Sequence, residues 1–243
     1  MLYPVCVCSG RLNESKHSLE SEVVNITISK ENYLKAIAEA QSEGETVISA
    51  SLARWLNVSP PAVTAAIKRL KRDQLIDVSD EGEITLTAGG QEIANRVLNR
   101  HHLIERMLAE IFGMEWYKVH DEAEQLEHAV SEEFERKLQE KLGEQDLECP
   151  HGNRVGLDTP NHRRARGWLP LDEFTSNSTV TVRSVYERDR KLLEYLDELG
   201  VRPGSPVEVV ARNYDDTITL RIDGKSIPLG RTAAAKVWAS PAA

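Results

Sequence analysis

His120, Glu124, Glu127 and His128 stand at i, i+4, i+7 and i+8, the spacing that puts four side chains on one face of an α-helix. Upstream, His101 and Glu105 repeat the i, i+4 step. Imidazole alternating with carboxylate is a donor set for a divalent first-row transition metal. A single such histidine is ordinarily a hydrogen-bonded core or surface residue. The whole face reverses that expectation, because burying these carboxylates together without a cation leaves them in mutual repulsion.

Two functional classes use such a cluster. One is a regulator that couples metal binding to another event. The other is a dinuclear metal-dependent hydrolase or oxidase, since paired ions catalyse. The sequence has no His-Glu-x-x-His motif and no paired Glu-x-x-His of di-iron bundles. No separate acid, base or nucleophile set accompanies the cluster. The expectation is a binding protein and not an enzyme.

The elements before the cluster point to DNA. Helical periodicity predicts helices over residues 29–42, with Ser29 as N-cap, and over 49–56. A third begins at Ser59-Pro60-Pro61, serine suiting the N-cap and proline the first turn. Its buried stripe is Val63, Ile67 and Leu70. β-prone runs at 75–78 and 84–87 flank the turn Ser79-Asp80-Glu81-Gly82. Three helices and a hairpin in this order describe a winged helix-turn-helix. Ser59, Pro61, Thr64 and Ala65 fall at the groove-facing start of its third helix. There Ser59 and Thr64 suit phosphate or base edges, and Pro61 and Ala65 suit thymine methyls. Lys68 and Lys71 suit phosphates, which position without specifying; a solvated helix face is the plainer reading of at least one of them.

Charge distribution agrees. The 243-residue chain carries −9 overall. Residues 101–148 hold fourteen acids against five bases, whereas 59–73 hold four bases against one acid. Binding depends on the contacting patch, and bound cations would offset the acidic middle.

Further along, helices are expected over 88–111, 115–130 and 131–142, with Leu126, Ala129, Val130, Phe134 and Leu138 as an apolar face for dimer contacts. Strands are expected over 179–185, 206–211, 217–222, 226–228 and 235–238, interrupted by a helix over 188–199. They read as a small SH3-like β-barrel. The length and the 40% hydrophobic content allow one to three small domains. The fold class is α+β. The expected organisation is an arm over 1–28, a winged helix-turn-helix over 29–90, a helical metal-binding and dimerisation domain over 91–143, a linker with a Cys-Pro-His loop over 144–170, and an SH3-like domain over 171–243. No apolar run is long enough to span a membrane, and the first 28 residues lack the pattern of a secretory signal. Three cysteines, Cys6, Cys8 and Cys149, fit a reducing cytoplasm better than a disulfide framework. Cys6-Val7-Cys8 reads as an incidental pair.

The stretch from Asn99 to Arg106, Asn-Arg-His-His-Leu-Ile-Glu-Arg, and that from Lys118 to His128, Lys-Val-His-Asp-Glu-Ala-Glu-Gln-Leu-Glu-His, resemble the diphtheria-toxin-repressor family of metal-dependent transcriptional repressors, in its manganese-responsive branch. The resemblance extends over nearly everything from Ser29 onward. It implies the same three-domain order, with a third domain of FeoA type, and a homodimer that binds a palindromic double-stranded DNA operator when metal is bound. It implies two metal sites per subunit. The primary site would comprise Asn32, Glu124, Glu127 and His128. Glu124 stands where iron-type members carry cysteine, which favours Mn²⁺, with Fe²⁺ as the alternative. Asn32 offers only a neutral carbonyl oxygen. The second site would draw on His101, Glu105 and His120, or on Glu105 with Cys149, His151 and Asp189. The genes under control would be those for metal uptake.

Overall fold

In a computed structural model, residues 27–143, 148–154, 156 and 158–242 are described. The Cys6-Val7-Cys8 pair and nearly all of the expected arm lie outside them.

Helix α1 spans Ile28–Ser42. Its N-cap is Thr27 rather than Ser29, because the Thr27 hydroxyl accepts from the Lys30 amide and starts the helix one residue sooner. Helices α2 (Ser49–Trp55) and α3 (Pro60–Arg72) follow, then an antiparallel hairpin of β1 (Ile76–Val78) and β2 (Ile84–Leu86). Leu34, Ile37, Leu52, Val63, Leu70, Ile76 and Ile84 share one core. Ala66 completes the buried stripe of α3, and Ile67 is only half-buried. This is the expected winged helix-turn-helix.

Helix α4 runs over Ala88–Arg106 and ends in a π turn over Met107–Ile111. Helix α5 covers only Val119–Leu126, shorter at both ends than the periodicity predicts. At its start, Trp116 and Tyr117 pack against the core of the third domain, and the Trp116 carbonyl accepts from His151 Nε2 at 2.9 Å. At its end, the Glu127 carbonyl accepts from Arg100 and the chain turns. Tertiary contacts thus take over backbone groups that a longer helix would use internally. Glu127 and His128 therefore sit in a turn after α5, although Glu127 keeps near-helical dihedrals. Helix α6 spans Glu132–Leu142, with Ser131 as N-cap.

The expected linker contains a short helix, α7 (Pro160–Ala165), capped by Thr159, and a two-residue strand, β3 (Leu169–Pro170). The third domain continues with β4 (Ser178–Val185), α8 (Arg190–Glu198), β5 (Pro206–Arg212), β6 (Thr217–Ile222), β7 (Lys225–Gly230), α9 (Arg231–Ala234) and β8 (Val237–Pro241). Its six strands form one antiparallel sheet in the order β3-β8-β4-β5-β6-β7. The last strand starts two residues later than expected because α9 occupies the preceding turn. Val180, Val182, Leu193, Leu196, Val207, Val209, Leu220 and Leu229 fill the core between this sheet and α8. No helix of the described residues is long and apolar enough to cross a membrane.

Candidate metal centre

The site is assembled where the three domains meet. Helix α1 contributes Glu31, Asn32, Lys35 and Glu39 along one face. Helix α4 contributes His101, His102 and Glu105, and α5 contributes His120 and Glu124, followed by Glu127 and His128 in the turn. The loop 148–154 brings Cys149 and His151. The segment joining β4 to α8 brings Glu187 and Arg188.

The most enclosed part lies against Glu105, which is 0% exposed. Its Oε1 is 3.1 Å from His101 Nε2, 3.2 Å from His120 Nδ1 and 3.5 Å from His151 Nδ1. Glu187 closes the other side: Oε2 lies 3.3 Å from Cys149 Sγ and 3.5 Å from His151 Nδ1, and Oε1 4.0 Å from both His120 Nδ1 and His102 Nε2. Two groups, His102, Glu105, Cys149 and Glu187, and His101, His120 and Glu187, each offer ligand atoms within 4.8 Å of one another.

His151 Nε2 faces a carbonyl oxygen, which can only accept, so that nitrogen carries the proton. In the neutral ring this leaves the Nδ1 lone pair directed at Glu105 and Glu187, as in a histidine oriented for a metal by its second hydrogen bond. Glu105 Oε2 and His102 Nδ1 are buried with no hydrogen-bond partner. A buried carboxylate oxygen without a donor is costly, and a cation would satisfy it. The donor set and the orphaned oxygen together fit a divalent ion.

Each of these groups shifts the protonation of its neighbours. Burial pushes the Glu105 carboxyl up, but the His151 and His101 charges outweigh it and hold it well below the usual range. Burial lowers His151, and the Glu105 and Glu187 carboxylates more than reverse this, lifting it to about 10. Burial, with Glu187 and Glu105 adding to it, raises the Cys149 thiol far above its ordinary value. Cys149 is thus a neutral thiol beside these carboxylates, and only a cation would draw out its thiolate.

The second part of the site lies nearer α1. His128 Nε2 is 2.6 Å from Asn32 Oδ1 and 3.4 Å from Glu127 Oε1, and His128 Nδ1 is 3.0 Å from Glu31 Oε2. Glu124 is linked to this trio through Lys35, whose Nζ donates to Glu124 Oε1 at 2.9 Å and to Glu127 Oε2 at 2.7 Å. Glu127 Oε2 also lies 2.6 Å from His101 Nδ1, which makes that nitrogen a donor. Lys35, 3.0 Å from the same nitrogen, is therefore hydrogen-bonded to the two carboxylates and merely adjacent to the ring. Burial lowers the Lys35 ammonium, but Glu39, Glu127 and Glu124 outweigh it and hold it charged. Burial raises Glu124 and the Lys35 charge outweighs this, leaving it at about 2.

Among the residues proposed from sequence, His101, Glu105, His120, Cys149 and His151 converge, and Asn32, Glu127 and His128 form a second close set. Asp189 is elsewhere: its carboxylate N-caps α8 through the Leu192 amide, and the carboxylate that enters the cluster is Glu187. Sequence reasoning also missed His102, Glu31 and Lys35. Lys35 was open to detection, because it stands at i+3 from Asn32 and at i+4 from Glu31 on the same helix face. On α3, Ser59, Pro61, Thr64, Ala65, Lys68 and Lys71 are all exposed. The Thr64 hydroxyl donates to the Pro60 carbonyl.

Comparison with known proteins settles the family. The model for the iron dependent repressor N-terminal DNA binding domain matches residues 25–83, that for the iron dependent repressor metal binding and dimerisation domain residues 87–155, and that for the FeoA domain residues 169–241. The diphtheria toxin repressor of Corynebacterium diphtheriae is 34% identical over 208 residues, covering 82% of this chain and 91% of that protein. The chain belongs to the diphtheria toxin repressor family of metal-dependent transcriptional repressors. The iron-dependent repressor IdeR of Mycobacterium leprae is 35% identical over 190 residues, covering 74% of this chain and 82% of that protein. Among solved structures, a manganese-dependent transcriptional repressor in complex with manganese is 32% identical with a TM-score of 0.78, covering 88% of this chain and all of that one. The manganese regulator SloR superposes with a TM-score of 0.71 at 25% identity, over 89% of this chain and 100% of that one. The hydrolase or oxidase reading is set aside, since this family consists of transcriptional repressors and not enzymes.

Proposed function

We propose that this repressor is a homodimeric, cytoplasmic sensor of Mn²⁺, with Fe²⁺ as the alternative, that binds a palindromic operator of metal-uptake genes when two ions are held per subunit. One ion would be held by His101, Glu105 and His120 together with Glu187, His151 and Cys149. The other would be held by Asn32, Glu127 and His128 with Glu124. A divalent cation would supply positive charge to the buried carboxylates and a partner to the orphaned Glu105 oxygen. The protein's own residues do the rest. Asn32 belongs to the DNA-binding domain and Glu127 and His128 to the dimerisation domain, so residues drawn together there fix the angle between the two. In a dimer, that angle decides whether two α3 helices reach successive major grooves, about 34 Å apart in B-DNA. A coupling of about 1–3 kcal/mol is enough to change occupancy usefully.

The observation that carries this reading is the convergence of the helical domain, the Cys149–His151 loop and Glu187 of the third domain on buried Glu105 and its orphaned oxygen. A mobility shift on DNA from upstream of the protein's own gene, with Mn²⁺, Fe²⁺, Zn²⁺ or chelator, tests it. Binding should require Mn²⁺ or Fe²⁺ and disappear with chelator. Binding that ignores metal, or none under any condition, would overturn it.

A further inference from the structure

The C-terminal end of α1 is gripped from outside the DNA-binding domain by two arginines. Glu39 and Glu43 stand one helical turn apart there, and each carboxylate meets one of them. Arg188 Nη1 reaches Glu39 Oε2 at 2.6 Å, and Arg163 Nη2 reaches Glu43 Oε1 at 3.4 Å. Each guanidinium also lies over a tryptophan ring, Arg188 over Trp55 at 4.9 Å and Arg163 over Trp238 at 5.3 Å. Arg163 belongs to α7 and is 4% exposed. Asp158 accepts from its Nε at 3.3 Å, so the aim of this side chain is set by its own segment and does not depend on α1. Beside the pair, the ring of Pro160, the first residue of α7, lies on Gly44, where a Cβ would stand 2.9 Å from Pro160 Cγ. Cations at a helix C-terminus also meet the negative end of its dipole. None of these residues is among those assigned to the two proposed ions.

We propose that α7 and Arg188 clasp the C-terminal end of α1 without metal, and that this end is the fixed point about which metal at the other end orients the DNA-binding domain. The proposal rests on the sensor reading and adds to it. Asn32 and Glu43 are eleven positions apart, about 16 Å along an α-helix. Metal thus acts near one end of α1 and the clasp at the other. A helix held at one end can swing but cannot leave. The ions then choose among few orientations of a tethered domain and do not have to gather a free one. At a given metal occupancy, the clasp enlarges the population in which α3 is placed for DNA.

Helix α7 supplies the readout. A helix of 6 residues is not stable alone, so its amide protection reports its docking. Hydrogen exchange is followed by mass spectrometry on the full chain, with chelator and with Mn²⁺, for wild type, Glu43→Arg and Glu43→Gln. In wild type, residues 160–168 should be protected in chelator, and Mn²⁺ should change their exchange by less than about twofold. Glu43→Arg sets two guanidinium groups against each other and should speed exchange across residues 160–168 about tenfold, with Glu43→Gln in between. Arginine suits the C-terminal end of α1, and exchange in α3 and β6 should stay as in wild type, which separates release of the clasp from unfolding. At saturating Mn²⁺, Glu43→Arg should bind DNA from upstream of the protein's own gene about five- to tenfold more weakly. Should Glu43→Arg disturb α3, the neutral Glu43→Gln carries the test alone. Protection of α7 that appears only with Mn²⁺ overturns the proposal. So does exchange in the folded variants equal to wild type, or unchanged DNA affinity with α7 released. The sensor reading fails separately, through DNA binding that ignores metal.

Discussion

Arg188 Nη1 lies 2.6 Å from Glu39 Oε2, tying the third domain to the helix that carries Asn32 and Lys35. The same guanidinium donates to the Trp55 carbonyl at 3.2 Å and lies over the Trp55 ring at 4.9 Å. The residue before it, Glu187, is the third domain's carboxylate in the metal cluster. Two adjacent residues thus reach different targets, Glu187 the proposed ion and Arg188 the DNA-binding domain. Under the proposed function, this one stretch of backbone couples metal capture to domain orientation.

Arg188→Ala separates these two roles. The pair is mostly buried and its hydrogen bonds are charge-assisted, so about 1–2 kcal/mol of interdomain contact should be lost. DNA affinity at saturating Mn²⁺ should fall roughly tenfold, since about 1.4 kcal/mol corresponds to that factor. Mn²⁺ affinity, read by titration calorimetry without DNA, should stay within about twofold. An equal loss in both measurements would show that Arg188 supports the metal cluster itself and not the domain angle.

Glu187 and Asp189 give a sharp contrast at a distance of two residues. Glu187→Gln removes a carboxylate that faces Cys149, His151, His120 and His102, and Mn²⁺ affinity should drop about tenfold or more. Asp189→Ala removes the N-cap of α8, costing about 1 kcal/mol in thermal or urea unfolding with metal affinity unchanged. Reduced Mn²⁺ affinity in Asp189→Ala with wild-type stability would return Asp189 to the ligand set.

Gly152 holds the loop that delivers Cys149 and His151. Its φ is +79°, and a Cβ there would stand 1.9 Å from the Arg183 carbonyl oxygen, a backbone atom that cannot step aside. Gly152→Ala should destabilise the protein by about 2 kcal/mol or more, from the left-handed backbone and the clash together. Urea unfolding measures this. A loss under about 0.5 kcal/mol would mean that the loop relaxes away from β4 at little cost.

Helical periodicity and the His/Glu spacing made the winged helix and the core of the metal centre legible, because both are local patterns: His101 with Glu105, and His120 with Glu124, each lie one helical turn apart. Glu187 was missed because it sits in a connection between β4 and α8, where no period marks which of several acids turns inward. Asp189 drew attention instead, yet its position just before α8 is that of an N-cap. The ends of α5 were misjudged for a related reason. Periodicity continues through Trp116 and His128, but the Trp116 carbonyl serves His151 and the Glu127 carbonyl serves Arg100. Those are tertiary contacts that no window of sequence contains. Lys35 was passed over because a lysine on an otherwise core-facing helix reads as a solvated residue until its partners, 66 to 92 positions away, are seen.

The exposed start and basic end of α3 lead to a prediction about salt. Lys68 projects into solvent with no acid bonded to it among the described contacts, whereas Arg72 is engaged by Asp73. A lysine that neutralises a phosphate releases about one condensed counterion, which contributes about 0.9 to the slope of log affinity against log salt. In Lys68→Ala, metal-loaded protein should bind operator and unrelated DNA more weakly by similar factors, with the slope shallower by about one in both. Thr64→Ala, at the exposed start of α3, should lower the ratio of operator to unrelated binding while leaving that slope unchanged. Mobility shifts at several salt concentrations decide between them. An unchanged slope in Lys68→Ala would take Lys68 off the phosphates and leave it a solvated surface residue.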